Sequence, residues 1–138
     1  MGTEIRLLVL LSRLKVSAEI KERVIILLNQ KIDWNYFLYQ CIKNKVCNIV
    51  ICNVMDLGIE NYFDYTVLKV LRYYFNYSKS RLSYLEDRMV EITNELNKMQ
   101  ISYALIKGFD IVNKVYNPIK PFLRDFNDID ILLDKPSM

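Results

Sequence analysis

Apolar residues in the first hundred positions recur every three to four places, with polar residues between them, the period of an amphipathic helix. Four helices follow from this pattern. The first spans about Thr3 to Leu14. The second starts after Ser17, an N-cap residue, and carries Ile20, Val24, Leu27 and Leu28. The third starts near Asp33, with Trp34, Phe37, Leu38 and Cys41 facing inward. The fourth runs from Val46 to Leu57 and ends at Gly58 in C-cap position; its Ile and Val content also suits a strand. A longer series follows: Leu68, Leu71, Phe75, Ser78, Leu82, Leu85, Met89, Ile92, Leu96 and Met99, in steps of three and four, broken only by Ser78. It predicts one long helix over about residues 62–99, or two joined near Asn76 to Ser80. Such a stripe is the spine of a bundle, or a seam for a partner or a homodimer. No proline precedes Pro118 and only Gly2 and Gly58 precede Gly108, so little interrupts these helices.

The pattern changes after residue 100. Ile101 to Ile106 reads as a short apolar strand ending at Lys107-Gly108, and apolar positions 109, 111, 112, 115 and 116 suit a short helix. Pro118 and Pro121 punctuate a loop. Asp128-Ile129-Asp130-Ile131-Leu132 then alternates in the period of a strand. Residues i and i+2 of a strand share a face, so Asp128 and Asp130 are expected on one side, with Ile129 and Ile131 packing on the other. Two carboxylates at that spacing can hold a hard divalent cation such as Mg²⁺. The fold class is therefore α+β and predominantly helical. A helical domain over residues 1–100 precedes the first strand, helix and strand of a mixed sheet over residues 101–138.

The order of strand, Lys-Gly, helix, loop and Asp-x-Asp strand resembles the nucleotidyltransferase superfamily, with its DNA polymerase β-like fold. Within it, the uncharacterised bacterial branch carries Leu-Lys-Gly, a Tyr, and Arg-x-x-x-Asp-x-Asp-x-Leu. Those places are filled here by Ile106-Lys107-Gly108, Tyr116, Arg124 and Asp128-Ile129-Asp130-Ile131-Leu132, so the resemblance covers residues 102–133. It implies an enzyme that transfers a nucleoside monophosphate from a nucleoside triphosphate to an acceptor. Asp128 and Asp130 would be the catalytic, Mg²⁺-holding carboxylates, and Lys107, Gly108 and Arg124 would bind phosphate. Gly108 has no Cβ to hinder a close approach, Lys107 offers a point charge and Arg124 a planar fork of donors. A helix opening at Phe109 would add its N–H groups.

Two features depart from the superfamily. Phe109 stands where a Ser or Gly usually follows the glycine, and the separation from Gly108 to Asp128 is longer than common. The superfamily also needs a third carboxylate on a later strand. Two strands and one helix do not cover both sides of a catalytic sheet. The expectation is thus a piece of a longer domain, without turnover as this chain alone.

Composition narrows the alternatives. With 52% hydrophobic and 25% charged residues the chain is globular, and a net charge of +3 does not argue for nucleic acid. A protein or small-molecule acceptor is accordingly favoured. The absence of histidine excludes a Ser-His-Asp triad, a Cys-His pair and His-ligated metal within the chain. Cys41, Cys47 and Cys52 lack Cys-x-x-Cys spacing and read as buried thiols in a reducing compartment. Leu7 to Leu11 is too short to span a membrane and no secretory signal precedes it, so a cytoplasmic protein is expected. The competing reading is a non-catalytic interaction protein that assembles through the long helix, its Asp-x-Asp strand vestigial or regulatory.

Overall fold

The computed structural model describes residues 1–111, 114–115, 123 and 126–134. Two compact units divide the chain, Met1–Asn76 and Tyr77–Met138.

The first unit is helical. It comprises α1 (Thr3–Leu11), α2 (Ala18–Leu28), α3 (Trp34–Lys43), α4 (Cys47–Leu57), a 3-10 turn at Glu60–Tyr62 and the first part of α5 (Tyr65–Lys98). Local chemistry fixes the starts of the helices. Ser17 Oγ accepts from the Ile20 N–H, Asp33 Oδ1 from that of Tyr36, and Asp64 Oδ1 from those of Thr66 and Val67. Each satisfies donors that the helix itself leaves open. α1 stops at Leu11 rather than Leu14. Asn53, buried on α4, donates to the carbonyls of Leu11 and Arg13, each at 2.8 Å, and so terminates the helix with a tertiary bond. Gly58 ends α4 in the left-handed conformation (φ 63°), and the Ile59 N–H reaches back to the Val54 carbonyl.

The helix that also suited a strand, α4, is the central one: Cys47 through Val54 are all buried. A helix apolar on every side belongs inside a core, and its neighbours α1 and α3 supply the cover. Trp34, Phe37 and Phe63 close the core at one end, with ring centroids 5.1 to 6.1 Å apart. Cys41, Cys47 and Cys52 are buried thiols in this unit. Burial, and then the charge of Cys47, pushes the Cys41 thiol far above its usual range.

α5 is a single helix of 34 residues, with no break near Asn76 to Ser80. Along its stripe Leu68, Leu71, Ser78, Leu82 and Leu85 are buried, whereas Ile92 and Met99 are exposed. Among the described residues no helix is long and apolar enough to cross a membrane.

The second unit contains the rest of α5, β1 (Tyr103–Ile106), α6 (Gly108–Ile111) and β2 (Asp130–Leu133). β1 and β2 pair antiparallel, with Tyr103 opposite Leu133 and Ile106 opposite Asp130. Among the described residues, Leu82, Leu85 and Phe109 form a buried cluster of this unit, and Met89, Leu105, Phe126 and Ile129 pack on it partly covered.

Candidate active site

The strand pairing decides where the chemistry-bearing side chains meet. β1 ends at Ile106, opposite Asp130. Lys107 then turns into the left-handed region (φ 54°), and its carbonyl accepts from the Ile111 N–H at 2.9 Å as α6 begins. A lysine in that conformation costs roughly 1–3 kcal/mol relative to ordinary backbone, and such positions concentrate at functional sites. The turn leaves Lys107 beside the strand it has just left. Its Nζ donates to Asp130 Oδ1 at 3.0 Å, with Lys107 68% and Asp130 24% exposed.

This contact fixes an electrostatic centre. The hydrogen bond and charge of Asp130, with a smaller contribution from Asp128, hold the Lys107 ammonium above the ordinary lysine value of 10.5. Both carboxylates therefore act on one cationic position. Because the folded value is raised, the pairing contributes fully below 10.5 and is lost as pH rises through the folded value. The Lys107 side-chain resonances are expected to titrate above the ordinary lysine value of 10.5. Asp130→Asn should bring the midpoint down towards that value in an NMR pH series; a midpoint that ignores the substitution would contradict the pairing.

Asp128 lies outside the strand. The alternation of Asp and Ile predicts a strand through both carboxylates, but β2 begins at Asp130. The reason is on the other side of the ladder: Lys107 leaves the extended conformation immediately after Ile106, so nothing remains opposite Asp128 to pair with. Side-chain packing still separates the two acids from their neighbour. Ile129 packs on Leu82, Leu85 and Phe109, whereas Asp128 is exposed.

A residue that the sequence pattern does not reveal supports this segment. Arg81, on α5, donates from one guanidinium nitrogen to the Asn127 carbonyl and from another to the Tyr77 hydroxyl, both at 3.2 Å. It thus holds the backbone one residue before Asp128. The signal that could have found it is a cation beside the buried positions Ser78 and Leu82 of the stripe.

Gly108 has a packing reason as well as any role toward ligand. A Cβ built there would lie 2.7 Å and 2.8 Å from ring carbons of Phe126. Phe126 in turn meets Phe109 edge-to-face, centroids 5.0 Å apart. Asp110 pairs with Lys114, four positions on, at 2.7 Å. Tyr116 and Arg124 lie outside the described residues. Among the described residues no group of three or more His, Cys, Asp or Glu gathers at one point, so Asp128 and Asp130 are a pair.

Comparison with known families bears on the whole of this arrangement. The family described as "Uncharacterised nucleotidyltransferase" matches residues 30–138. The chain belongs to that family. The matched region starts at the approach to α3 and takes in α3, α4, α5 and the strand pair, and α1 and α2 precede it. No curated protein and no solved structure matches this chain.

Proposed function

We propose that the chain carries the nucleotide end of a Mg²⁺-dependent nucleotidyltransferase site, centred on Asp128, Asp130 and Lys107. The observation that carries this reading is the Ile106–Asp130 pairing. It sets a carboxylate 3.0 Å from the Lys107 ammonium, beside Gly108 and one residue from Ile129, whose burial leaves Asp128 on the exposed side. Membership of the family supports nucleotide as the substrate class.

The donor set fits a hard cation. Two carboxylates act on the one position already taken by an ammonium, and oxygen ligands of this kind suit Mg²⁺ with waters completing its shell. Asp128 and Asp130 would hold the ion, which when bound stabilises the attacking and leaving oxygens of an in-line displacement. With Asp130 holding a cation, Lys107 would be free to pair with phosphate, and Arg124 would offer a planar set of donors to phosphate. The acceptor oxygen would bond to the α-phosphorus, the bond from that phosphorus to the pyrophosphate oxygen would break, and the acceptor's proton would pass to water. Pyrophosphate leaves. A hydroxyl of a protein or small molecule is the acceptor class that fits a net charge of only +3.

Calorimetry with ATP and GTP tests the reading. Binding is expected with Mg²⁺ and not with EDTA, and it should be lost in Asp128→Asn/Asp130→Asn while the thermal midpoint stays close to that of the parent. Binding that survives in the double variant would sink the assignment.

A further inference from the structure

A groove on the first unit lies almost entirely ahead of the region shared with the family. α1 and α2 lie side by side in opposite directions: Thr3, at the start of α1, hydrogen-bonds Gln30, just past the end of α2, at 3.0 Å. Between them is a cleft of about 240 Å³. Val9 (49% exposed) and Ile26 (62% exposed) form its apolar centre, and Arg6, Arg13 and Arg23 stand around it. No carboxylate lines it, and among the described residues none of these three guanidiniums takes part in an ion pair.

We infer that this cleft is a docking groove for an acidic amphipathic helix of another protein. Arg6 and Arg13 are seven positions apart, about 10 Å along a helix at 1.5 Å per residue. An incoming helix with carboxylates at i and i+7 and apolar side chains at i+3 and i+4 matches that spacing and places its apolar pair over Val9 and Ile26. The size agrees: the cleft is below the roughly 300–1,000 Å³ usual for small-molecule pockets and suits one or two inserted side chains.

Other occupants fit the chemistry less well. A nucleic acid would meet the arginines, but an apolar centre without an aromatic ring gives its bases nothing to stack on. A second copy could offer the acids of α5, Glu86, Asp87, Glu91 and Glu95, but no two of them are seven positions apart.

The test is fluorescence polarisation with a labelled helical peptide of about four turns, its sequence repeating Glu-Ala-Ala-Leu-Leu-Ala-Ala, against the same peptide with Lys for Glu. Saturable binding of the acidic peptide alone is expected, with amide exchange slowed in α1 and α2. Arg23→Glu and Ile26→Asp change exposed side chains, so each should weaken binding by about tenfold or more without moving the thermal midpoint. Absence of acidic-peptide binding would overturn the inference. So would equal binding of the two peptides, binding indifferent to both substitutions, or displacement of the peptide from the groove only by RNA or anionic vesicles.

Discussion

Replacing Phe37 by alanine is expected to remove most of the stability of the helical unit. Phe37 is fully buried, and its ring meets both Trp34 and Phe63. Deleting a buried phenylalanine costs about 3–5 kcal/mol through lost transfer energy and the cavity left behind. A unit of 76 residues is stable by about 4–11 kcal/mol at the usual stability per residue. The substitution therefore consumes at least about a quarter of that margin, and in the lower part of the range leaves no stable fold. Urea unfolding followed by the fluorescence of Trp34, the chain's single tryptophan, reads this directly. A midpoint unchanged within error would mean that the cluster does not hold the core as described.

Gly108→Ala should destabilise the second unit, against the ordinary trend. Gly108 opens a helix without a left-handed φ, and exchanging such a glycine for alanine usually stabilises by about 0.4–1 kcal/mol. Here the new methyl would sit 2.7 Å from the Phe126 ring. Phe126 packs edge-to-face on Phe109, so turning away from the methyl would break that ring contact. Overpacking of this kind costs about 1–3 kcal/mol. A double-mutant cycle separates the causes: with Phe126→Ala present, Gly108→Ala should become neutral or stabilising, a coupling of about 1–3 kcal/mol. Additive effects would refute the steric account. The same displacement should weaken the proposed Mg²⁺-dependent nucleotide binding, because Phe126 immediately precedes the Asn127 carbonyl that Arg81 holds and the Asp128 that follows.

These residues show what can be read from a sequence and what cannot. The helices were legible because their signals are local: Ser17, Asp33 and Gly58 act within one turn, and the stripe from Leu68 to Leu85 repeats at the helical period. The break at Lys107-Gly108 was legible from the end of the apolar run Ile101 to Ile106, whereas the contact of Lys107 with Asp130 was not, because it depends on the register of β1 with β2. The end of α1 was not legible, since Asn53 is more than forty positions away in sequence. Nor was the position of Asp128, because alternation describes one strand and the length of a strand is set by its partner, here cut short at Lys107. Arg81 and the pressure of Phe126 on Gly108 are contacts across the second unit that leave no period in the chain.

The placement of the three thiols gives the protein a built-in clock. All sit in the first unit, and the second has none. A thiol whose ionisation is suppressed by burial reacts with an alkylating reagent only when its surroundings open. The rate at which iodoacetamide labels the native protein therefore measures opening of the helical bundle alone. Labelling of Cys41 is expected to accelerate in Phe37→Ala and to keep its parent rate in Gly108→Ala; equal acceleration in both would show that the two units open as one.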